Sequence, residues 1–417
     1  MKWYLGSAFL WLIYFPILST LKWVFFFIPK VRSRIEFEMK NKTEEGCRSF
    51  KQDGIKADLC FEFSSEGEFQ QVASLIDDAI SKEKHLELVF FSPSVEKTIV
   101  DLHRRHPKLI RYLRYPILGL SFSSWITSST LMLVRYDFFP EFLVWSFKPG
   151  RKLKLVWVTF KKERAKRKNI SFYKMAFFMR SDFTIFATEA DYKQGQEMGM
   201  DGTIYDFRME QIKRRMEKRE EKFAKFFPQY QGLKKVIDQY PRNKRLIMGN
   251  AWPQDLFLLK DLPQDILLVI VPHQLKPEIF EEIRQKLVAL GRQMEVVSDT
   301  SMETPPTGST MLVNKKGILC ELYADFGMAY VGGGFGVSVH SILEPLVAGS
   351  EHLSCGPVNH RSTEFDLAQS LGSMKEVKTN QEFLKWLSED ISGFKVHDRL
   401  RTQIESYPVF QKEVLSC

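Results

Sequence analysis

The chain has 417 residues, 44% hydrophobic and 27% charged, which excludes a disordered polypeptide and calls for two domains rather than one core. A formal charge of +9 with 35 phenylalanines suits an anionic membrane surface, and no nucleic-acid motif accompanies it, so nucleic acid is not expected as a partner. The five cysteines (Cys47, Cys60, Cys320, Cys355, Cys417) include no CxxC pair, which argues against a disulfide framework or a zinc site and for a reducing cytosol.

Residues Trp3 to Leu21 form 19 positions without a charge, and Lys30, Arg32 and Arg34 follow. This reads as a retained membrane anchor with its basic flank on the cytoplasmic side. Pro16 and Lys22 leave open a helix lying in the interface rather than spanning it. Asp58 to Phe63 reads as a buried strand, running through Ser64, Ser65, Glu66, Gly67 and Glu68 into a helix with Val72, Leu75, Ile76 and Ile80 at helical spacing. Glu68 thus lies at the carboxyl end of a strand, where open α/β sheets bind ligands. Its other reading is a first-turn glutamate complementing the helix dipole. A second strand, Leu86 to Phe91, ends in Ser92-Pro93-Ser94. The uncharged stretch Tyr115 to Val134 holds seven Ser or Thr residues, so it reads as loop plus the strand Thr130 to Val134, not a second membrane helix. Arg135-Tyr136-Asp137 follows. After the strand Leu153 to Val158, the charge run Lys161 to Lys168 reads either as a solvated loop or as a contact to head groups or acceptor phosphates. Thr184 to Ala187 is a further strand, and Glu210 to Lys225 reads as an exposed linker helix.

The strands of the second domain begin near Lys244. Arg245 to Met248 runs into Gly249-Asn250-Ala251-Trp252, and Ile266 to Val271 ends in Pro272-His273. Met328 to Val331 is followed at once by Gly332, Gly333, Gly334, Phe335 and Gly336. A helical pattern then opens near His340, with Ile342, Leu343, Leu346 and Val347 on one face. Strand, glycine loop and helix together point backbone N–H groups and a dipole at a phosphate; the plainer reading is a tight turn. Ser341 can cap the helix and bond a phosphate. Glu344, one turn inside, can reach sugar hydroxyls. His352 to Ser354 is a short strand ending in Gly356-Pro357.

Taken in order, these segments resemble the Kdo transferases, glycosyltransferases of lipopolysaccharide inner-core synthesis. Ser65-Glu66-Gly67-Glu68 is similar to the family's S-x-G-E, and Phe90 to Ser94 to an F-F-S-P-S segment of some branches. Asp137 stands in a stretch similar to E-x-W-P, where glutamate is commoner. Thr203 to Arg208 resembles the ending of the family's first domain, and Gly249 to Trp252 its G-S-T-W loop. Pro272-His273 resembles a P-H-E variant where many members have P-R-H-P-E-R, and Ser341 lies where many have G-G-H-N. Val331 to Gly336, Leu343-Glu344-Pro345 and Glu364 resemble the donor half.

The resemblance implies an α/β fold of the GT-B class: two Rossmann-like domains facing across a cleft, behind an N-terminal membrane anchor. The bounds it implies are an anchor at 1–35, an acceptor domain at 36–218, a nucleotide-sugar domain at 219–394 and a helix at 395–417 crossing back to the first domain. The implied activity is inverting, metal-independent transfer of Kdo from CMP-Kdo to a lipid A precursor (lipid IVA) at the cytoplasmic face of the inner membrane. Glu68 would be the base. Pro272, His273, Gly332, Gly333, Gly334, Phe335, Gly336, His340, Ser341 and Glu344 would bind the donor. Ser65, Gly67, Ser92, Asp137, Arg208 and Trp252 would line the acceptor side or the cleft. The sequence contains no Asp-x-Asp, so neither a metal nor a cofactor is expected. Two other readings remain: an enzyme of this fold with another sugar nucleotide, such as an epimerase, and a non-catalytic membrane-bound relative.

Overall fold

A computed structural model describes residues 9–116, 122–135, 138–160, 172–298, 309–336, 339–357, 363–389 and 396–416. The chain forms two units, one of Met1–Arg208 with Tyr407–Cys417 and one of Met209–Ser406. Asp137 and the charge run at 161–168 lie outside the described residues.

Unit 1 is built on seven strands: β1 (Leu59–Phe63), β2 (Leu86–Phe90), β3 (Ile110–Arg114), β4 (Thr130–Val134), β5 (Lys152–Val158), β6 (Phe183–Phe186) and β7 (Thr203–Ile204). Their spatial order is β3-β2-β1-β4-β5-β6-β7, and every pair is parallel. β1, β2 and β4 are buried along their whole length, as continuous apolar runs of a helix-covered parallel sheet should be. The order reverses between β1 and β4. Loops leaving neighbouring strands in opposite directions open a crevice there, outside the carboxyl ends.

β3 escapes the apolar pattern because its sequence, IRYLR, carries two arginines. Arg114 is nevertheless fully buried, donating to Glu44 at 2.6 Å and Glu96 at 2.7 Å. Tyr407–Leu415 closes unit 1: Tyr407 and Gln411 both donate to Asp78. Lys154, 5% exposed, donates its Nζ to the carbonyls of Glu413 (2.7 Å), Val414 (2.9 Å) and Ser416 (2.7 Å). A buried ammonium with three carbonyl acceptors at a helix C-terminus is satisfied both by geometry and by the dipole. Lys154→Met is therefore expected to lower the stability of unit 1 by about 3 kcal/mol. Urea unfolding followed by tryptophan fluorescence checks this; an unmoved midpoint would leave the lysine no structural role.

Unit 2 holds β8 (Arg245–Ala251), β9 (Leu267–Pro272), β10 (Glu295–Ser298), β11 (Thr310–Asn314), β12 (Met328–Val331), β13 (His352–Cys355) and β14 (Met374–Glu376). The order is β10-β11-β9-β8-β12-β13-β14, again parallel throughout, so the reversal falls between β8 and β12.

Three expectations change here. Residues 210–225 are not an exposed linker: they lie in the helices Arg208–Glu217 and Arg219–Phe226, whose Met209, Ile212 and Phe223 are buried in the core of unit 2. The charges that suggested exposure are largely ion-paired, and the apolar residues recur at helical spacing. The C-terminal segment is two helices, Val396–Glu405 in unit 2 and Tyr407–Leu415 in unit 1, so the crossing comes at Ser406. The helix after the glycine loop begins at Leu343 rather than near His340.

Near the N-terminus a π-helical turn, Leu10–Tyr14, leads into the helix Phe15–Val24. Among the described residues no helix is long and apolar enough to cross a membrane. The segment is nonetheless apolar and outward-facing: Leu12 is 76% exposed, Val24 61% and Phe27 90%. Cys47, Cys60, Cys320 and Cys355 are buried and form no disulfide among the described residues.

Candidate functional site

Both reversal points carry the residues singled out by the sequence. In unit 1, β1 runs through Ser64 and Ser65 into the helix Glu66–Ser81, with Ser65 extended at its cap position. Glu68 folds back so that Oε2 accepts from the backbone N–H of Ser64 at 2.6 Å. Only 7% of Glu68 is exposed, and burial raises its proton affinity above the usual carboxylate range. The Ser64 hydrogen bonds and the Arg135 charge work the other way. A carboxylate that holds a proton more readily than free glutamate is a better base at neutral pH. A Cβ on Gly67 would meet only the Ser65 hydroxyl, at an ordinary contact distance of 4.0 Å, so packing within unit 1 does not require glycine there.

Arg135 leaves β4 in a left-handed conformation (φ 75°), and Trp157 in β5 shares it (φ 59°), at the irregularity between β5 and β6. The guanidinium of Arg135 lies 4.9 Å from the Trp157 ring centre, and that of Arg208 lies 5.1 Å from it. Arg208 is also fixed by Asp206, through Nε at 2.9 Å. Two bulky residues thus share a strained backbone region, and the charge of one of them, Arg135, acts on Glu68. Trp157 gave no signal in the sequence, since LKLVWV reads simply as a buried strand. On the β2 side, Ser92 accepts from the Ser94 N–H at 3.2 Å and donates to its hydroxyl at 3.0 Å.

In unit 2 the loops after β8, β9, β12 and β13 converge. Gly334 packs so closely on Gly356 that a Cβ would lie 2.3 Å from the Gly356 Cα, and a Cβ on Gly332 would lie 2.3 Å from the Asn250 carbonyl oxygen. Gly333 is left-handed, at φ 98°. Asp255, fully buried, ties the loop down: it accepts from Gly333 N–H (3.2 Å), Trp252 N–H (2.8 Å) and the Tyr330 hydroxyl (2.9 Å). Sequence reading missed Asp255, although it lies three residues beyond Trp252. Phe335 turns inward, edge-on to Phe257 at 4.9 Å, and Gly336 is exposed.

Pro272 is buried at the end of β9, and His273 donates its backbone N–H to the Ala251 carbonyl. The His273 ring stacks between Trp252 (5.0 Å between centres) and His340 (4.0 Å). Burial lowers the proton affinity of both imidazoles, and His273 depresses His340 further. Both are thus neutral at pH 7 and offer a hydrogen bond rather than a charge. His340 Nε2 and Trp252 Nε1 are buried without a hydrogen-bond partner.

Ser341 does not cap the following helix. Its hydroxyl donates to Glu364 Oε2 at 3.1 Å, and the same carboxylate oxygen accepts from the Leu343 N–H at 2.9 Å. The helix start is thus occupied by a carboxylate, whose longer reach lets it serve both groups. Glu344 is paired, Arg215 Nη1 donating to its Oε1 at 3.1 Å. Among the described residues no group of three His, Cys, Asp or Glu is placed to hold a metal ion.

No protein-family model and no curated protein sequence matches the chain. Among solved structures, the UDP-GlcNAc 2-epimerase from Neisseria meningitidis bound to UDP-GlcNAc is 11% identical, with 86% of this chain and 94% of that one covered and a TM-score of 0.50. The α,α-trehalose 6-phosphate synthase from Burkholderia multivorans is 11% identical over 86% of this chain and 99% of that one, with a TM-score of 0.47. The C-terminal CMP-Kdo binding domain of WaaA from Acinetobacter baumannii is 18% identical over 45% of this chain and 93% of that one, with a TM-score of 0.32. The likeness to the epimerase is one of fold: two parallel-sheet α/β domains of the GT-B type.

Proposed function

We propose that the chain is an inverting glycosyltransferase that moves Kdo from CMP-Kdo to a lipid A precursor at the cytoplasmic face of the inner membrane. The observation that carries this is Glu68, a buried carboxylate of raised proton affinity at the reversal point of the unit 1 sheet, within a segment similar to the S-x-G-E of Kdo transferases. A sugar hydroxyl is a poor nucleophile at neutral pH, and the attacking acceptor oxygen must lose its proton as the new bond forms. Glu68 takes that proton. The acceptor oxygen bonds to the anomeric carbon as the bond to CMP breaks on the opposite face, and CMP leaves with the electron pair. Inversion follows from that geometry.

Unit 2 supplies the donor site in this reading. The Gly332 and Gly333 N–H groups hold the loop in place, on the Gly249 carbonyl and on Asp255, so the N–H groups from Gly334 to Gly336 and the neutral His273 and His340 are the preorganised donors for the charge growing on the departing phosphate. The outward-facing apolar residues between Leu12 and Ile28, followed by Lys30 and Arg32, support attachment to an anionic membrane that holds the acceptor.

The test is mass spectrometry of a tetraacylated lipid A precursor incubated with the protein and CMP-Kdo, beside parallel incubations with UDP-sugars. A mass gain of one or more Kdo units with CMP-Kdo alone is expected. A gain only with a UDP-sugar would assign a different donor to the same fold.

A further inference from the structure

The helix Arg208–Glu217 brings Arg215 to the helix Leu343–Ala348 that follows the glycine loop, where it joins two carboxylates. Its Nη1 donates to Glu344 Oε1 at 3.1 Å, and its Nε donates to Glu321 Oε1 at 3.0 Å. Glu321 is completely buried and also accepts from Lys222 Nζ at 2.8 Å, while Arg219 Nε holds the Glu321 carbonyl at 2.9 Å. One edge of the guanidinium is therefore clamped on a sealed anion. The other edge is aimed at Glu344, whose side chain keeps 24% of its surface accessible on the first turn after the loop. Only a planar fork reaches both partners in a fixed geometry, which a lysine cannot do.

The groups facing Glu344 are Arg215 from that helix, Glu321, Cys320 and Tyr323 from the segment 319–323, and Glu364 from the helix Thr363–Ser370. Burial pushes Glu344 toward its protonated form, and Glu364 and Glu321 add to the push; Arg215 opposes it. Protonation would turn an acceptor of two hydroxyl groups into a partial donor.

We propose that Arg215 is a positioning residue for a ribonucleotide: by engaging Oε1 it fixes the Glu344 carboxyl group in place and leaves Oε2 to accept from the ribose hydroxyls. This rests on the donor-site reading of unit 2, in which Glu344 meets the ribose, and goes beyond it by giving Arg215 the task of holding that carboxyl group against the buried Glu321. Lys222 and Glu321 form the backing that keeps the fork in place.

Isothermal titration of the full-length protein with CMP, UMP and their 2′-deoxy counterparts, between pH 6 and 8.5, tests this. The native protein should bind each ribonucleotide that it accepts at least about tenfold more tightly than the deoxy form, one hydrogen bond to a charged acceptor. In Arg215→Gln that ratio should collapse at pH 6 and recover partly as pH rises and Glu344 ionises. Arg215→Lys should keep an intermediate ratio. Glu344→Gln, which leaves the Arg215–Glu321 contact intact, should lose the ratio without any pH dependence, and it serves if Arg215→Gln fails to fold. An Arg215→Gln protein with the native ratio at every pH overturns the inference, as does native binding that ignores the 2′-hydroxyl. Binding of UMP but not CMP, with the ratio intact, would keep the inference and overturn the CMP-Kdo reading. Absence of binding to all four would overturn both.

Discussion

Glu68→Gln is expected to fold normally and to lose about 10³-fold in transfer rate, the usual share of a general base. The amide oxygen can still accept the Ser64 N–H that now meets Oε2 at 2.6 Å, so the local structure has no reason to change. What disappears is the capacity to take a proton. The native rate should climb with pH through a value above that of ordinary glutamate, because burial raises the carboxyl's proton affinity. Stability should move in the opposite direction. A carboxyl whose folded-state pKa lies above its unfolded value favours the folded state at low pH, and that contribution is lost as pH rises through the folded value. At pH 8 the neutral glutamine variant should therefore be at least as stable as the native protein while nearly inactive. Single-turnover rates and thermal melts on the same samples check both halves. A variant that retains transfer would take Glu68 out of the mechanism.

Gly334→Ala should do comparable damage from the other unit. A Cβ there would sit 2.3 Å from the Gly356 Cα, and backbone has no flexible end to swing aside. The loops after β12 and β13 must part by close to an ångström, and a displacement of that size near the reacting groups costs about 10²-fold. Both sheets should survive, because the glycine lies beyond the last residue of β12. The expected outcome is an unchanged circular dichroism spectrum with transfer and nucleotide affinity both reduced about a hundredfold. Native affinity in this variant would mean that the loop relaxes freely and does not shape the donor site.

Much of this was readable from the sequence, and what escaped it did so for physical reasons. Parallel strands buried on both faces announce themselves as apolar runs, so β1, β2, β4, β5, β8, β9 and β12 were visible. β3 and β14 were not, because IRYLR and MKE sit toward sheet margins and carry charges that are paired in the fold. Arg114, at the end of β3, is fully buried and paired with Glu44 and Glu96. The site divides in the same way. Glu68, His273 and the glycines lie in local patterns that a strand-to-loop reading picks out. Their partners do not: Arg215 meets Glu344 across 129 positions, and Asp255 meets Gly333 across 78. Such contacts come from topology, which no short window contains. Ser341 failed as a cap for a related reason, since Glu364 reaches in from 21 residues beyond Leu343.

The division of the chain also bears on how the protein is made. Unit 1 is interrupted by the whole of Met209–Ser406, and Tyr407–Leu415 returns to complete it. On the ribosome the first sheet emerges long before that helix. Until then Lys154 holds a charge beside its strand with none of its three carbonyl acceptors in place. Unit 2, contiguous in sequence, has all of its elements once Ser406 is made. The half carrying Glu68 therefore receives its closing helix only after the whole of unit 2 has been made.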